Sequence, residues 1–199
     1  MDHARFQKAI DAFDRANAED PHTIVTNEAA GPEPRELVQA RRLSAWVNEL
    51  APAASEALLL AARCQHIRRW QIPRNAYPSG RVGYLQWRTQ LARFHADTAA
   101  QLLEEVGYDR DLVEAVRRLN LKQNLRSNPD SQTIEDALCL SFLQHEFDEF
   151  IAKYPPEKVV EVVQKTWQKM SQNARERALL LPLGAGALSI IQRALALSI

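Results

Sequence analysis

The sequence is poor in glycine, in cysteine and in long apolar runs, and each scarcity excludes a class of structure. Only 6 of the 199 residues are glycine, and β-branched residues are sparse, which disfavours strands. No run approaches the roughly 18 apolar residues of a membrane span, and we expect no secretory signal at the N-terminus. The 25 basic and 25 acidic residues cancel, so bulk charge indicates neither a nucleic-acid nor a membrane partner.

The 2 cysteines of the chain do not form a disulfide framework. Cys64 and Cys139 both lie in apolar stretches, where a thiol packs like a small hydrophobic side chain. We therefore expect buried, reduced thiols in a cytoplasmic protein.

The residues that are abundant, namely alanine, leucine, arginine, glutamate and glutamine, favour helix. Apolar residues recur at helical spacing, and the length suits one domain with a real core. We predict an all-α single domain over 1–199, with a core over 35–145 and C-terminal helices over 157–199 packed on it. The predicted helices cover 4–17, 34–50, 56–70, 83–106, 132–153, 157–170, 174–181 and about 12 residues after Gly186, with irregular segments at 18–34, 71–82 and 122–131. A further helix ends near 121 and is capped by Asp109 or Asp111.

The stretch 58–70, LLLAARCQHIRRW, organises the predictions about function. Its apolar run ends abruptly in Gln65, His66, Arg68 and Arg69. An apolar helix that ends in a histidine and two arginines is typical of a core element that delivers polar groups to a site.

Four predicted helices each carry one ionisable residue on the apolar face: His66, His95, Asp136 and Glu36. A buried charge is costly unless it is paired, protonated or bound to metal. These groups therefore either neutralise one another or bind a ligand, and we expect the first three to converge on one cavity. Each group also has a structural alternative to a ligand-binding role. The histidines would be hydrogen-bonded core residues, and the carboxylates would only complement the dipole of their helix.

The same segments resemble the HD-domain metal-dependent phosphohydrolases. LLLAARCQHI is similar to their apolar run that closes in His-Asp, with Gln65 in the place of the metal-binding histidine and His66 in the place of the aspartate. The stretch 95–116 resembles a later segment that begins with a histidine, here His95. IEDALCL, 134–140, resembles the closing helix that carries the last aspartate ligand.

The resemblance implies a divalent metal, Mn, Mg, Fe or Zn, held by His66, His95, Asp136 and Glu135. The signature His-Asp pair is absent, and glutamine is a poor ligand for Zn or Fe but a tolerable one for Mg or Mn. The metal set has therefore been rebuilt, or metal binding has been lost and no cofactor remains.

The whole chain also resembles an uncharacterised bacterial and fungal family, through QHIRRW-IPR-YP, YLQWR and EDALCL. Some fungal members carry a glutamyl-tRNA synthetase label, and HI at 66–67 and KMS at 169–171 are similar to fragments of synthetase signatures. A synthetase needs a nucleotide-binding α/β domain, for which the chain has no strand-rich segment. We therefore reject that label.

Several arginines surround His66 in the sequence, and guanidinium groups match phosphate oxygens. One hypothesis is a metal-dependent hydrolase of a phosphate ester or a nucleotide-like substrate. Its catalytic residues are His66, Arg69 and Glu36, and its ligand-binding residues are Gln65, Arg68, Arg74 and Arg88. The other hypothesis is a non-catalytic helical module that binds an anionic ligand or a protein partner. The sequence leaves the oligomeric state open, and an ordinary solvated face is the alternative for each arginine.

Overall fold

The computed structural model describes residues 1–26, 29, 31–123 and 128–196, and most of these residues are helical. The prediction of an all-α fold is confirmed. The helices are α1 (His3–Ala18), α2 (Arg35–Leu50), α3 (Glu56–Cys64), α4 (Gly80–Val106), α5 (Arg110–Asn120), α6 (Pro129–His145), α7 (Phe147–Lys153), α8 (Pro156–Lys169), α9 (Gln172–Leu179) and α10 (Ala185–Ala196), with 3₁₀ turns at Arg69–Gln71 and Arg74–Ala76. None of the helices in these ranges has the length and apolar character that crossing a bilayer requires.

The chain divides into two compact units, Met1–Ser131 and Gln132–Ile199. In the first unit, α3 packs against α1, α2 and α5, and α4 packs against α1 and α5. In the second unit, α10 packs against α7 and α8. The single domain over 1–199 and its inner boundaries stay predictions.

Helix α3 is the central element of the first unit because nearly every residue in it is apolar. Leu58 and Leu60 are fully buried. Ser55 caps the helix, since its hydroxyl oxygen accepts a hydrogen bond from the Leu58 amide at 3.1 Å and its hydroxyl donates to Asp130 at 2.9 Å. Such a cap stabilises a helix by about 1 kcal/mol.

The predicted helix over 56–70 is too long, because α3 ends at Cys64. Arg68 has the left-handed φ of 51°, which no α-helix accommodates and which costs a non-glycine residue about 1–2 kcal/mol. His66 therefore lies in a turn after the helix, and its place on a helical stripe was wrong.

The segment 18–34 was predicted as a loop but contains two short strands, β1 (Thr23–Val25) and β2 (Pro32–Pro34), paired antiparallel. Its residues 27, 28 and 30 lie outside the described residues. A two-stranded ribbon has only edge strands, where proline is tolerated. Asp20 fixes the start of this segment, since its carboxylate accepts hydrogen bonds from the amides of His22 and Glu36.

Other boundaries differ by a few residues. Helix α4 begins at Gly80 rather than at 83. The helix predicted over 132–153 begins at 129 and is interrupted at Glu146. Asp109, one of the two predicted caps, accepts a hydrogen bond from the Leu112 amide and begins α5. Of the loop predicted over 122–131, residues 124–127 lie outside the described residues.

In the second unit, an apolar stripe runs from Asp136 through Leu140 and Leu143 to Phe147, and all four residues are buried. The predicted inward face is therefore confirmed. Both cysteines are buried free thiols, as expected, and burial raises the pKa of the Cys64 thiol to about 12.

Candidate functional site

The site begins with the turn that ends α3, where side chains from other helices capture backbone groups. The amide of Arg68 donates to the side-chain oxygen of Asn17 on α1, at 3.1 Å. The carbonyl of Ile67 accepts a hydrogen bond from Nδ1 of His95 on α4, at 2.7 Å. Because these side chains satisfy the backbone groups, the chain can leave the helix without burying unpaired ones.

This turn places His66 beside His95, while the convergence of both with Asp136 on one cavity stays a prediction. The centroids of the two rings lie 5.8 Å apart and the ring planes are inclined at 50°. His95 is only 3% exposed, whereas His66 is half-buried. No hydrogen bond within the described residues involves the ring nitrogens of His66, so they can reach a ligand.

Both imidazoles are neutral at physiological pH. Burial lowers the pKa of His95 to about 4, and the charge of Arg69 adds to the shift against the opposing bond to Ile67. Burial also lowers the pKa of His66 well below its ordinary value, assisted by Arg69, His95, Lys122 and Arg88.

A buried amide network extends the site from Gln65 to the end of α5. Gln65 Nε2 donates to the Asn120 carbonyl at 3.4 Å. The Cys64 thiol donates to the Ala61 carbonyl, so its sulfur accepts the hydrogen bond from Asn120 Nδ2 at 3.3 Å. These bonds fix both amides and leave Gln65 Oε1 and Asn120 Oδ1 as buried acceptors with no partner in the described part of the chain.

The predicted arginines separate into two groups, and only one group suits a ligand. The Arg69 guanidinium lies over the Trp87 ring, 5.3 Å from its centroid, and that of Arg88 lies over the Tyr84 ring at 6.0 Å. A guanidinium that stacks through its face keeps its in-plane N–H groups available. Both arginines also act on the pKa of His66.

Arg68 and Arg74, by contrast, have structural partners. The Arg68 guanidinium contacts both carboxylate oxygens of Glu19 at 3.1 and 3.2 Å. The Arg74 guanidinium donates to the carbonyls of Tyr77, Pro78 and Gly80. These contacts hold the segment before α4 in place.

The three predicted carboxylates lie in different surroundings, and those of Asp136 and Glu135 have local partners. Glu36 is buried in the first turn of α2, and its amide donates to Asp20. In the second unit, Asp136 Oδ1 accepts hydrogen bonds from Gln132 Nε2 at 2.9 Å and from the Ser171 amide at 2.8 Å, while Glu135 pairs with Lys169 at 3.2 Å.

These positions do not fit the metal set that the HD-domain resemblance implies. Among the residues that the structure describes, no three His, Cys, Asp or Glu side chains lie close enough together to hold a metal ion. His66 and His95 offer a pair of neutral imidazoles, which is fewer than the three or four protein ligands of typical zinc sites. The metal therefore stays a prediction of the resemblance.

Sequence reasoning missed Asn17, Trp87, Asn120 and Lys122. Asn17 lies at the C-terminal end of α1 and continues its apolar stripe, four residues after Phe13, so a buried asparagine could have been noticed there. Lys122 follows α5 in a polar segment that was read as an ordinary loop. Their roles depend on contacts with residues distant in sequence, which no local pattern reveals.

Comparison with known proteins gives one match. A family model described as "Domain of unknown function (DUF4202)" matches residues 7–191. No curated protein and no solved structure matches the chain significantly.

Replacing Asn17 by alanine is expected to destabilise the first unit by about 1–3 kcal/mol, because the Arg68 amide would lose its acceptor inside the fold. Lys8→Ala, at an exposed position on the same helix, is the matched control, with an expected change within about 0.5 kcal/mol. Denaturant unfolding measures both. Equal effects of the two variants would show that Asn17 does not hold the turn.

Asp136→Ala is expected to destabilise the second unit by about 1–3 kcal/mol, because the amide of Ser171 loses its acceptor. Asp136→Asn keeps an oxygen in place and should lose less. Thermal unfolding with and without added Mn²⁺ tests the competing role of Asp136 as a metal ligand. If Mn²⁺ stabilises the wild type and neither variant, the metal hypothesis gains support over the structural one.

Proposed function

The chain belongs to the DUF4202 family, and we propose that its first unit binds a small phosphate-bearing anion beside His66. The observation that carries this proposal is the sign of the surrounding charges. After burial itself, the groups that most lower the pKa of His66 include Arg69, Lys122 and Arg88, and all three are cations. A half-buried neutral ring surrounded by positive charge favours an anionic ligand.

Arg69 is the best-placed cation for direct contact. Its guanidinium stacks on Trp87, and that indole is fixed because its Nε1–H donates to the Ile72 carbonyl at 2.9 Å. The guanidinium makes no hydrogen bond and no ion pair within the described residues. A prepositioned guanidinium loses little conformational entropy when it binds phosphate oxygens through two parallel N–H groups.

His66 can supply a neutral hydrogen bond to the same anion. A neutral imidazole carries one N–H donor and one bare nitrogen, and neither nitrogen of His66 is committed to another described residue. The N–H can donate to a phosphate oxygen. Because its low pKa keeps the ring uncharged, His66 orients the anion through a directional hydrogen bond. The arginines supply the positive charge.

Hydrolysis of a phosphate ester is the second candidate function, and the neutral state of His66 favours it. In such a reaction, His66 would take a proton from the attacking water as the new P–O bond forms. The P–O bond to the ester oxygen would break, and the departing alkoxide would take the proton that His66 had removed from the water. A strongly lowered pKa makes His66 a weak base, which is why we place binding ahead of hydrolysis.

Arg69→Ala is expected to weaken binding of n-propyl phosphate by about tenfold or more, since a hydrogen bond to a charged group contributes about 1.5–3 kcal/mol. Arg93→Ala is the matched control, because it removes the same charge from an exposed position on α4 and should change affinity less than about twofold. Calorimetric titration at fixed ionic strength measures both. Equal losses would mean that only net charge matters and would remove the assigned site.

His66→Ala separates the two candidate functions. If the site is catalytic, the variant should lose turnover of a phosphate-ester panel assayed with Mn²⁺ or Mg²⁺, while its stability falls by only about 1–2 kcal/mol. If the site only binds, the wild type itself should show no turnover, and the variant should lose affinity for n-propyl phosphate. Metal analysis of the purified protein, with and without chelator treatment, accompanies the assay.

A further inference from the structure

The hydrogen bond of His95 determines the chemistry of its other ring nitrogen. Nδ1 lies 2.7 Å from the Ile67 carbonyl, and a carbonyl oxygen can only accept, so Nδ1 carries the proton. Because the ring is only 3% exposed and the partner of Nδ1 is an uncharged carbonyl, burial favours the uncharged imidazole. A neutral imidazole with its proton on Nδ1 leaves a bare lone pair on Nε2.

Nε2 of His95 is therefore a hydrogen-bond acceptor that lacks a donor. It has no partner among the described residues, and the residue is 3% exposed. Gln65 Oε1 and Asn120 Oδ1 are buried acceptors in the same condition, and both belong to the network that ends beside His66. Buried polar atoms are nearly always hydrogen-bonded, so Nε2 of His95 points to a ligand or solvent that brings a donor.

The neighbouring charge restricts what that donor can be. Arg69 acts on His95 as well as on His66, so a cationic donor or a metal ion would meet repulsion. A neutral hydroxyl group meets none. Arg69 instead favours an anionic group on the same molecule.

We infer that the ligand of this site is a phosphate ester with a free hydroxyl near its phosphate, and that this hydroxyl donates a hydrogen bond to Nε2 of His95. The inference rests on the proposed function, because it takes phosphate binding beside His66 as given. The class includes sugar phosphates and other polyol phosphates, whose further hydroxyls suit Gln65 and Asn120. Simple alkyl phosphates match the arginines but leave Nε2 without a donor.

The first test compares two probes that differ only in their hydroxyl groups. Glycerol 3-phosphate and n-propyl phosphate carry the same charge and the same number of carbon atoms. We expect the wild type to bind glycerol 3-phosphate about fivefold more tightly, which is the effect of one neutral hydrogen bond. Equal affinities would overturn the inference and leave the proposed function standing, whereas no binding of either probe would overturn both.

The second test assigns the preference to His95. In His95→Asn, the amide N–H₂ can still donate to the Ile67 carbonyl, but no acceptor remains at the position of Nε2. The ratio of the two affinities should fall to about one in this variant, with folding checked by thermal unfolding. A ratio that stays near five would overturn the assignment to His95.

A direct measurement on the wild type does not depend on any variant folding. Imidazole ¹H–¹⁵N NMR distinguishes protonated from bare ring nitrogens. Nε2 of His95 should be bare in the free protein, and its resonance should move with glycerol 3-phosphate more than with n-propyl phosphate. A protonated Nε2, or equal movement with both probes, would overturn the inference.

Discussion

The hydrogen bond from His95 to the carbonyl of Ile67 is the contact on which the rest of the site depends. Through this bond, α4 anchors the backbone just past α3. Helix α3 ends there instead of continuing through Arg68 and Arg69. The same bond fixes the proton of His95 on Nδ1 and so defines the chemistry of Nε2. It also sets the position of His66, the residue before the bonded carbonyl. One interaction thus determines a helix end, a tautomer and the proximity of two rings.

Helix α4 holds the turn at two points. Trp87 Nε1 donates to the carbonyl of Ile72, as His95 Nδ1 donates to that of Ile67. The two donors are eight residues apart on the helix, which is about 12 Å along its axis. Arg69 lies between the two anchored carbonyls in the sequence, and its guanidinium stacks on the indole of the first donor. The segment is therefore fixed to a rigid element at both ends, as precise placement of binding groups requires.

The sequence could reveal which face of a helix is buried, but it could not reveal where α3 ends. The stripe of Glu36, Leu43 and Val47 and the inward position of His95 follow from helical spacing, and all four residues are buried. The helix end was missed because it depends on Asn17, 51 residues earlier than Arg68, and on His95, 28 residues after Ile67. A local pattern of good helix formers carries no sign of such distant acceptors and donors. Composition likewise could not separate an arginine that stacks on an indole from one that donates to loop carbonyls.

The residues in the places of the HD-domain ligands have a different chemistry from the family they resemble. Gln65 stands where a metal-binding histidine would, and its amide nitrogen donates to the Asn120 carbonyl while its oxygen remains an acceptor. His66 stands where an aspartate would, and replaces a negative charge with a neutral ring. The first exchange replaces one neutral ligand by a poorer one, the second removes a negative charge that would attract a cation, and the nearby arginines add charge that repels one. The surrounding positive charge opposes a further cation, and this supports the proposal of a hydroxyl-bearing anion over that of a metal ion.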